Sequence, residues 1–122
     1  LASNFLKSII KDTGHFSNNK TQLRISLELI DKYDCLNLSI PESVCFYYTI
    51  HGFNNKETSA IIHRSPRTIE SHLDKIRIKT GCNNKRDLIN LAFSLNIIYL
   101  IPKTVIENYF YQITFPAYYS ND

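Results

Sequence analysis

Between Asn54 and Gly81 the chain alternates polar caps with apolar stripes at helical spacing. Asn54 followed three residues later by Glu57 is a capping box, and the helix it starts is expected to end near Ile62. His63 and Arg64 then form a turn. Ser65 caps a second helix with Pro66 at its first position, where a missing N–H does no harm, and Gly81 supplies its left-handed end. At 100° per residue this second helix has two unlike faces. Ile69, Leu73, Ile76 and Thr80 share the side that must meet a core. Arg67, Ser71, Asp74, Lys75 and Ile78 share the other, with Glu70 at its flank. A short helix, a tight turn and a longer helix make a helix-turn-helix, and an outward polar face on its second helix suits reading base edges in a major groove. The plainer alternative is a solvated helix face.

Two further capped helices flank the pair. Ser39 and Glu42 form a capping box with Pro41 in the first turn, opening a helix through Val44, Phe46 and Tyr48 towards Gly52. Asn84 and Asp87 cap a last helix that carries Leu88, Ile89, Leu91, Ala92 and Leu95. The expected spans are 39–51, 54–62, 66–80 and 84–97. The last helix has more apolar positions than one packed face needs, which leaves either a second protomer or the flanking segments to cover the surplus.

Outside these helices the pattern is less decisive. Phe5, Leu6, Ile9 and Ile10 suggest a short helix ending at Gly14. Leu23, Ile25, Leu27 and Leu29 alternate with polar residues as a half-buried strand does. Leu23, Leu27, Ile30 and Asp34 also fit a helix, and no partner strand is evident, so the helix is preferred. From Tyr99 onward lie seven of the chain's 15 tyrosines and phenylalanines: Tyr99, Tyr109, Phe110, Tyr111, Phe115, Tyr118 and Tyr119. Rings in such number are expected to fold back or meet a partner. Pro102 can start a helix through Val105, Ile106 and Tyr109. Base stacking is the alternative, but Lys103 is the tail's one basic residue.

At 122 residues with 43% hydrophobic and 20% charged composition, the chain is globular and long enough for one domain plus a fragment. The net charge of +3 is uninformative, but its distribution is not. Residues 54–86 hold eight basic residues against three acids, so the remainder carries a net −2. Concentrated positive charge is the footprint of phosphate binding. Cys35, Cys45 and Cys82 have no CxxC or CxxH spacing, which disfavours a disulfide framework or a zinc site and suits a reducing cytoplasm. Their expected role is packing. The apolar runs are too short to span a bilayer. His15, His51, His63 and His72 show no metal spacing, and no nucleophile motif or glycine-rich phosphate loop is present. Neither catalysis nor a cofactor is therefore expected.

The run Gly52-Phe53-Asn54-Asn55-Lys56-Glu57, then Ser65 through Leu73, then Ile76, Lys79 and Gly81, closely resembles the LuxR/FixJ-type helix-turn-helix of bacterial transcription regulators. The likeness extends from Leu38-Ser39 and Glu42 to Leu88 and Ala92, about half of the chain. It implies an all-α, four-helix domain over 36–98. Residues 1–35 then read as a remnant or linker of a sensor domain, and 99–122 as an aromatic tail. A start at Leu1 rather than Met fits a piece of a longer protein.

The resemblance further implies base-edge contacts at Glu70, Ser71 and Asp74, with backbone contacts at Asn55, Lys56, Arg67, Thr68, Lys75 and Lys79. It implies dimerisation through the last helix, at Leu88, Leu91, Ala92 and Leu95. The expected partners are double-stranded DNA, a second copy on DNA and RNA polymerase. The chain departs from the family at Arg64, where relatives usually carry an apolar residue, and at Thr58-Ser59, which replace an Ile-Ala pair. Two acids on the reading face can accept from cytosine amino groups, yet they repel phosphates. That tension, with the aromatic tail, motivates the rival reading of a helix-turn-helix-shaped protein-interaction module. A sigma-like, polymerase-contacting domain is a third.

Overall fold

The computed structural model describes residues 27–114. Helix α1 (Ile40–Ile50) is the strut of the fold, with every residue from Glu42 to Ile50 buried. A helix covered on all sides needs no polar face, and this one is apolar nearly all round. The Ser39 hydroxyl accepts from the Glu42 N–H at 3.2 Å while Glu42 Oε1 accepts from the Ser39 N–H at 3.0 Å, so the expected capping box is formed. Phe46 meets Tyr33 edge to face at 4.9 Å, and Tyr48 meets Phe53 at 5.2 Å.

Helices α2 (Asn55–Ile62) and α3 (Pro66–Thr80) form the helix-turn-helix, and α4 (Lys85–Ser94) follows. Their caps are the ones the sequence signals. Asn54 Oδ1 accepts from the Glu57 N–H at 2.8 Å, Ser65 Oγ from the Thr68 N–H at 3.2 Å, and Asn84 Oδ1 from the Asp87 N–H at 2.9 Å. His63 ends α2 in the left-handed region (φ 56°), and Gly81 ends α3 there (φ 75°). Ile69, Leu73 and Ile76 are buried against α1, whereas Thr80, expected beside them, is half-buried with its hydroxyl donating to the Ile76 carbonyl at 2.8 Å. Helix α4 ends at Ser94, three residues before the expected limit. Asn96 turns the chain at φ 57°, and Ile97 drops into the core.

The preference for a helix around Leu27–Asp34 is overturned. Glu28–Ile30 is a strand, β1, and Leu100–Pro102 is its parallel partner, β2, with Leu29 opposite Ile101. The partner escapes a local reading because the helix-turn-helix intervenes between the two strands. Leu23 and Ile25 lie outside the described residues. The Tyr33 hydroxyl donates to the Leu100 carbonyl at 3.0 Å, and the Tyr33 N–H donates to Ser43 Oγ at 2.9 Å, tying the sheet to α1. The fold remains mostly helical, as the sequence implies, with this two-stranded sheet added.

Pro102 is followed at once by α5 (Lys103–Thr114), which buries Val105 and Tyr109 in the same core as α1. The expectation of buried tail aromatics holds for Tyr109. Tyr99, in the turn before β2, is 37% exposed, and Phe110 and Tyr111, on the side of α5 away from Val105 and Tyr109, are 50% and 40% exposed. Phe115, Tyr118 and Tyr119, like the helix expected near Phe5–Ile10, lie outside the described residues. Among the cysteines, Cys45 and Cys82 pack in the core, and burial pushes the Cys45 thiol up to about 12. Cys35 is exposed, contrary to the packing role expected of it.

Candidate nucleic-acid interface

The outward side of α3 carries Arg67, Glu70, Ser71, Asp74, Lys75 and Ile78, all exposed. Ile78, at 81%, is the most exposed of the large apolar side chains described. The opposite side is fixed by Ile69, Leu73 and Ile76, so the orientation of this stripe is set by packing rather than by its own contacts. Lys56 and Asn55 stand at the start of α2, Lys56 exposed and Asn55 half-buried. The half-buried Thr68 places its hydroxyl 3.1 Å from Ser65 Oγ, in the first turn of α3.

A groove of about 440 Å³ runs between α1, α2, α3 and α4, and Lys56, Arg77 and Lys85 converge on it. Lys56, Arg67, Lys75, Lys85 and Arg86 form no ion pair among the described residues, so their charge is available to a polyanion. Lys85 and Arg77 are not among the contacts that the sequence suggests. The charge count over residues 54–86 includes them, but their convergence depends on how α4 packs beside α3.

The acids of α3 are not bare. Arg77 Nη1 donates to Glu70 Oε2 at 3.0 Å and to Asp74 Oδ1 at 2.8 Å. Asn55 Nδ2 donates to Glu70 Oε1 at 2.7 Å, joining the two helices of the motif. The group of Glu70, Asp74 and Arg77 therefore carries one net negative charge instead of the two its acids carry alone, which eases the conflict with phosphates.

Lys79 is placed differently from the other basic residues. Its Nζ lies 2.7 Å from Oε1 of Glu42, a side chain only 6% exposed. Burial by itself would raise the Glu42 carboxyl; hydrogen bonds from Lys79 and from Ser39 outweigh it and hold the group below the usual carboxylate value. Lys79 is thus a latch between the last turn of α3 and the first of α1.

Of the residues tied to dimerisation, Leu88 (2% exposed) and Ala92 (0%) belong to the protomer's own core. Leu91 is half-buried and Leu95 is 45% exposed, and Phe93 adds a ring 60% exposed beside them. His72 is half-buried and lines a second groove of about 320 Å³ with Ile40, Val44, Arg64 and Asn108. At the turn, Ser59 Oγ donates to the carbonyl of Arg64, and Thr58, buried, donates its hydroxyl to the Asn54 carbonyl at 2.9 Å. The two departures from the family's apolar pair are thereby satisfied within α2 and its turn. Among the described residues no cluster of His, Cys, Asp or Glu is arranged to hold a metal, and no helix is long and apolar enough to cross a membrane.

The GerE family, bacterial regulatory proteins of the luxR family, matches residues 36–92. The VqmA dimer of Vibrio cholerae, described in the absence of its target DNA among LuxR-type receptors, is 27% identical with a TM-score of 0.59. That match covers 66% of this chain and 37% of the Vibrio protein. A phage VqmA in complex with DPO is also 27% identical, with a TM-score of 0.54, over 85% of this chain and 41% of the phage protein. The chain thus spans about two fifths of the length of either relative. A search of curated protein sequences finds no match. Residues 36–92 form a helix-turn-helix domain of the LuxR family of bacterial regulatory proteins.

Proposed function

We propose that this chain is a transcriptional regulator that binds double-stranded DNA sequence-specifically, with α3 in the major groove. The observation that carries the reading is the two-sidedness of α3. One side is bolted to α1 by Ile69, Leu73 and Ile76, and the other presents Glu70, Ser71 and Asp74 between basic residues that form no ion pair among the described residues. Hydrogen-bonding groups on a rigid helix are what direct readout requires, and phosphate-binding side chains around them fix the register. Lys56, Arg67, Lys75 and Lys85 are the backbone contacts this arrangement favours, with Asn55 and Thr68 beside them. The rival reading, a protein-interaction module, loses much of its motive because both acids are ion-paired to Arg77.

The VqmA relative is a dimer, which supports pairing of this chain on DNA as well. Leu91, Phe93 and Leu95 are the apolar side chains of the α4 region that remain available to a second copy. Two protomers so paired would read half-sites about one helical turn apart. The test is a titration of the chain against a selected duplex and a scrambled one at several salt concentrations. Tighter binding to the selected duplex, with log K falling linearly as log salt rises, is expected. Equal affinity for both would remove sequence readout, and no binding to either would remove DNA.

A further inference from the structure

Within the stripe of α3 the two acids are in unlike states. Glu70 has both carboxylate oxygens occupied, Oε1 by Asn55 at 2.7 Å and Oε2 by Arg77 at 3.0 Å. Asp74 has Oδ1 held by the same Arg77 nitrogen at 2.8 Å, and among the described residues its Oδ2 has no partner. Asp74 Oδ2 can accept from a cytosine N4 amino group with both of its lone pairs open, whereas each Glu70 oxygen already holds one donor and has a single lone pair left, so Asp74 is the freer acceptor of the two. The exposures agree: the Asp74 side chain is 63% exposed and the Glu70 side chain 48%.

We infer that Asp74 is the specificity-determining carboxylate of α3 and that Arg77, held by Glu70 and Asn55, is the positioning residue that aims it at the base edge. Arg77 lies one turn beyond Asp74 and two beyond Glu70, so a single guanidinium nitrogen reaches both acids along one side of the helix. Asn55, on the other helix of the motif, fixes the far end of the chain of contacts, so the aim of Asp74 is tied to the packing of α2 on α3. An aspartate on a bare helix surface samples several rotamers. Here one is selected before DNA arrives, and the ordering cost of contact falls. Glu70 then acts through Arg77 and reads no base of its own. The inference rests on the DNA-binding reading above.

The experiment uses the whole 122-residue chain and a duplex recovered by selection from a random pool. Wild type, Asp74→Ala, Arg77→Ala, Arg77→Lys and Glu70→Ala are each titrated against that duplex and against a panel with every base pair changed in turn. Thermal melts confirm folding, since exposed ion pairs contribute little to stability. Wild type should prefer one C·G pair by roughly 5- to 150-fold, the span expected for a good base contact. Asp74→Ala should erase that preference. Arg77→Ala should reduce it at the same pair at least threefold while leaving the salt slope on scrambled DNA unchanged, and Arg77→Lys should recover part of it. Glu70→Ala should weaken the preference at that pair and no other.

Loss of preference at a different pair in Glu70→Ala would make Glu70 a reader and overturn the assignment. So would an Arg77→Ala variant whose salt slope falls by one while its base preference stays, because Arg77 would then be a phosphate ligand. If wild type selects no sequence at all, the DNA-reading proposal fails first and this inference falls with it.

Discussion

Replacing Lys79 with alanine separates two roles for one residue. The family resemblance suggests a phosphate contact, whereas the structure engages Lys79 with Glu42 at 2.7 Å. Lys79→Ala leaves the Glu42 carboxylate, only 6% exposed, with Ser39 as its remaining hydrogen-bond partner among the described residues. Losing a charge-assisted bond at a buried acceptor costs about 1.5–3 kcal/mol. The figure for breaking a fully buried ion pair, about 3–5 kcal/mol, is too high here. The Lys79 side chain is 32% exposed, so water can reach the place it leaves. For a chain of 122 residues the loss corresponds to a fall in Tm of roughly 5–10 °C.

The effect should also depend on pH. The Glu42 carboxyl lies below its ordinary value in the folded protein, so ionised Glu42 favours the native state. That contribution is complete above the ordinary glutamate value of about 4.3 and is lost as pH falls through the lower folded value. The stability gap between wild type and Lys79→Ala should therefore be full at pH 7 and close in acid. Urea melts of both proteins from pH 7 to pH 3, alongside DNA titrations in varied salt, measure both quantities. A Lys79→Ala protein as stable as wild type at pH 7, but with a salt slope lower by one, would refute the latch and restore the phosphate contact.

Other substitutions follow from the same geometry. Arg67→Ala and Lys75→Ala should weaken binding to all duplexes alike and lower the salt slope by roughly one each, because a phosphate contact releases counterions without reading a base; titrations on scrambled DNA check this. Ile76→Ala, at a site with 0% exposure, should destabilise the fold by about 2–5 kcal/mol in urea melts, through lost transfer energy and the cavity it leaves. Phe93→Ser with Leu95→Ser should leave the melting temperature within a few degrees of wild type, since both side chains are exposed, yet weaken the second step of DNA binding in sedimentation of the complex.

The parts of this fold that a sequence reader can find are those whose causes are local. Ser39, Asn54, Ser65 and Asn84 cap within three residues of themselves, and the stripe of Ile69, Leu73 and Ile76 repeats within four. Pairing of Glu28–Ile30 with Leu100–Pro102 has no such signature, since parallel strands share no turn and three residues give little periodicity. The same holds for which apolar residues of α4 face inward. Periodicity marks Leu88, Leu91, Ala92 and Leu95 alike, but only packing commits Leu88 and Ala92 to the core. At the interface, residue types locate the reading face, while the partners of Glu70, Asp74 and Lys79 emerge only when helices are set side by side.

Whether α3 reads DNA sequence is decided by selection from a pool of random duplexes. Repeated rounds of binding to the full chain, followed by sequencing, should converge on a consensus. Two related half-sites about one helical turn apart should emerge, each with a C·G pair whose enrichment disappears in the Asp74→Ala protein. A pool that binds but converges on no sequence, or a consensus indifferent to every residue on the outward face of α3, would contradict sequence reading by α3.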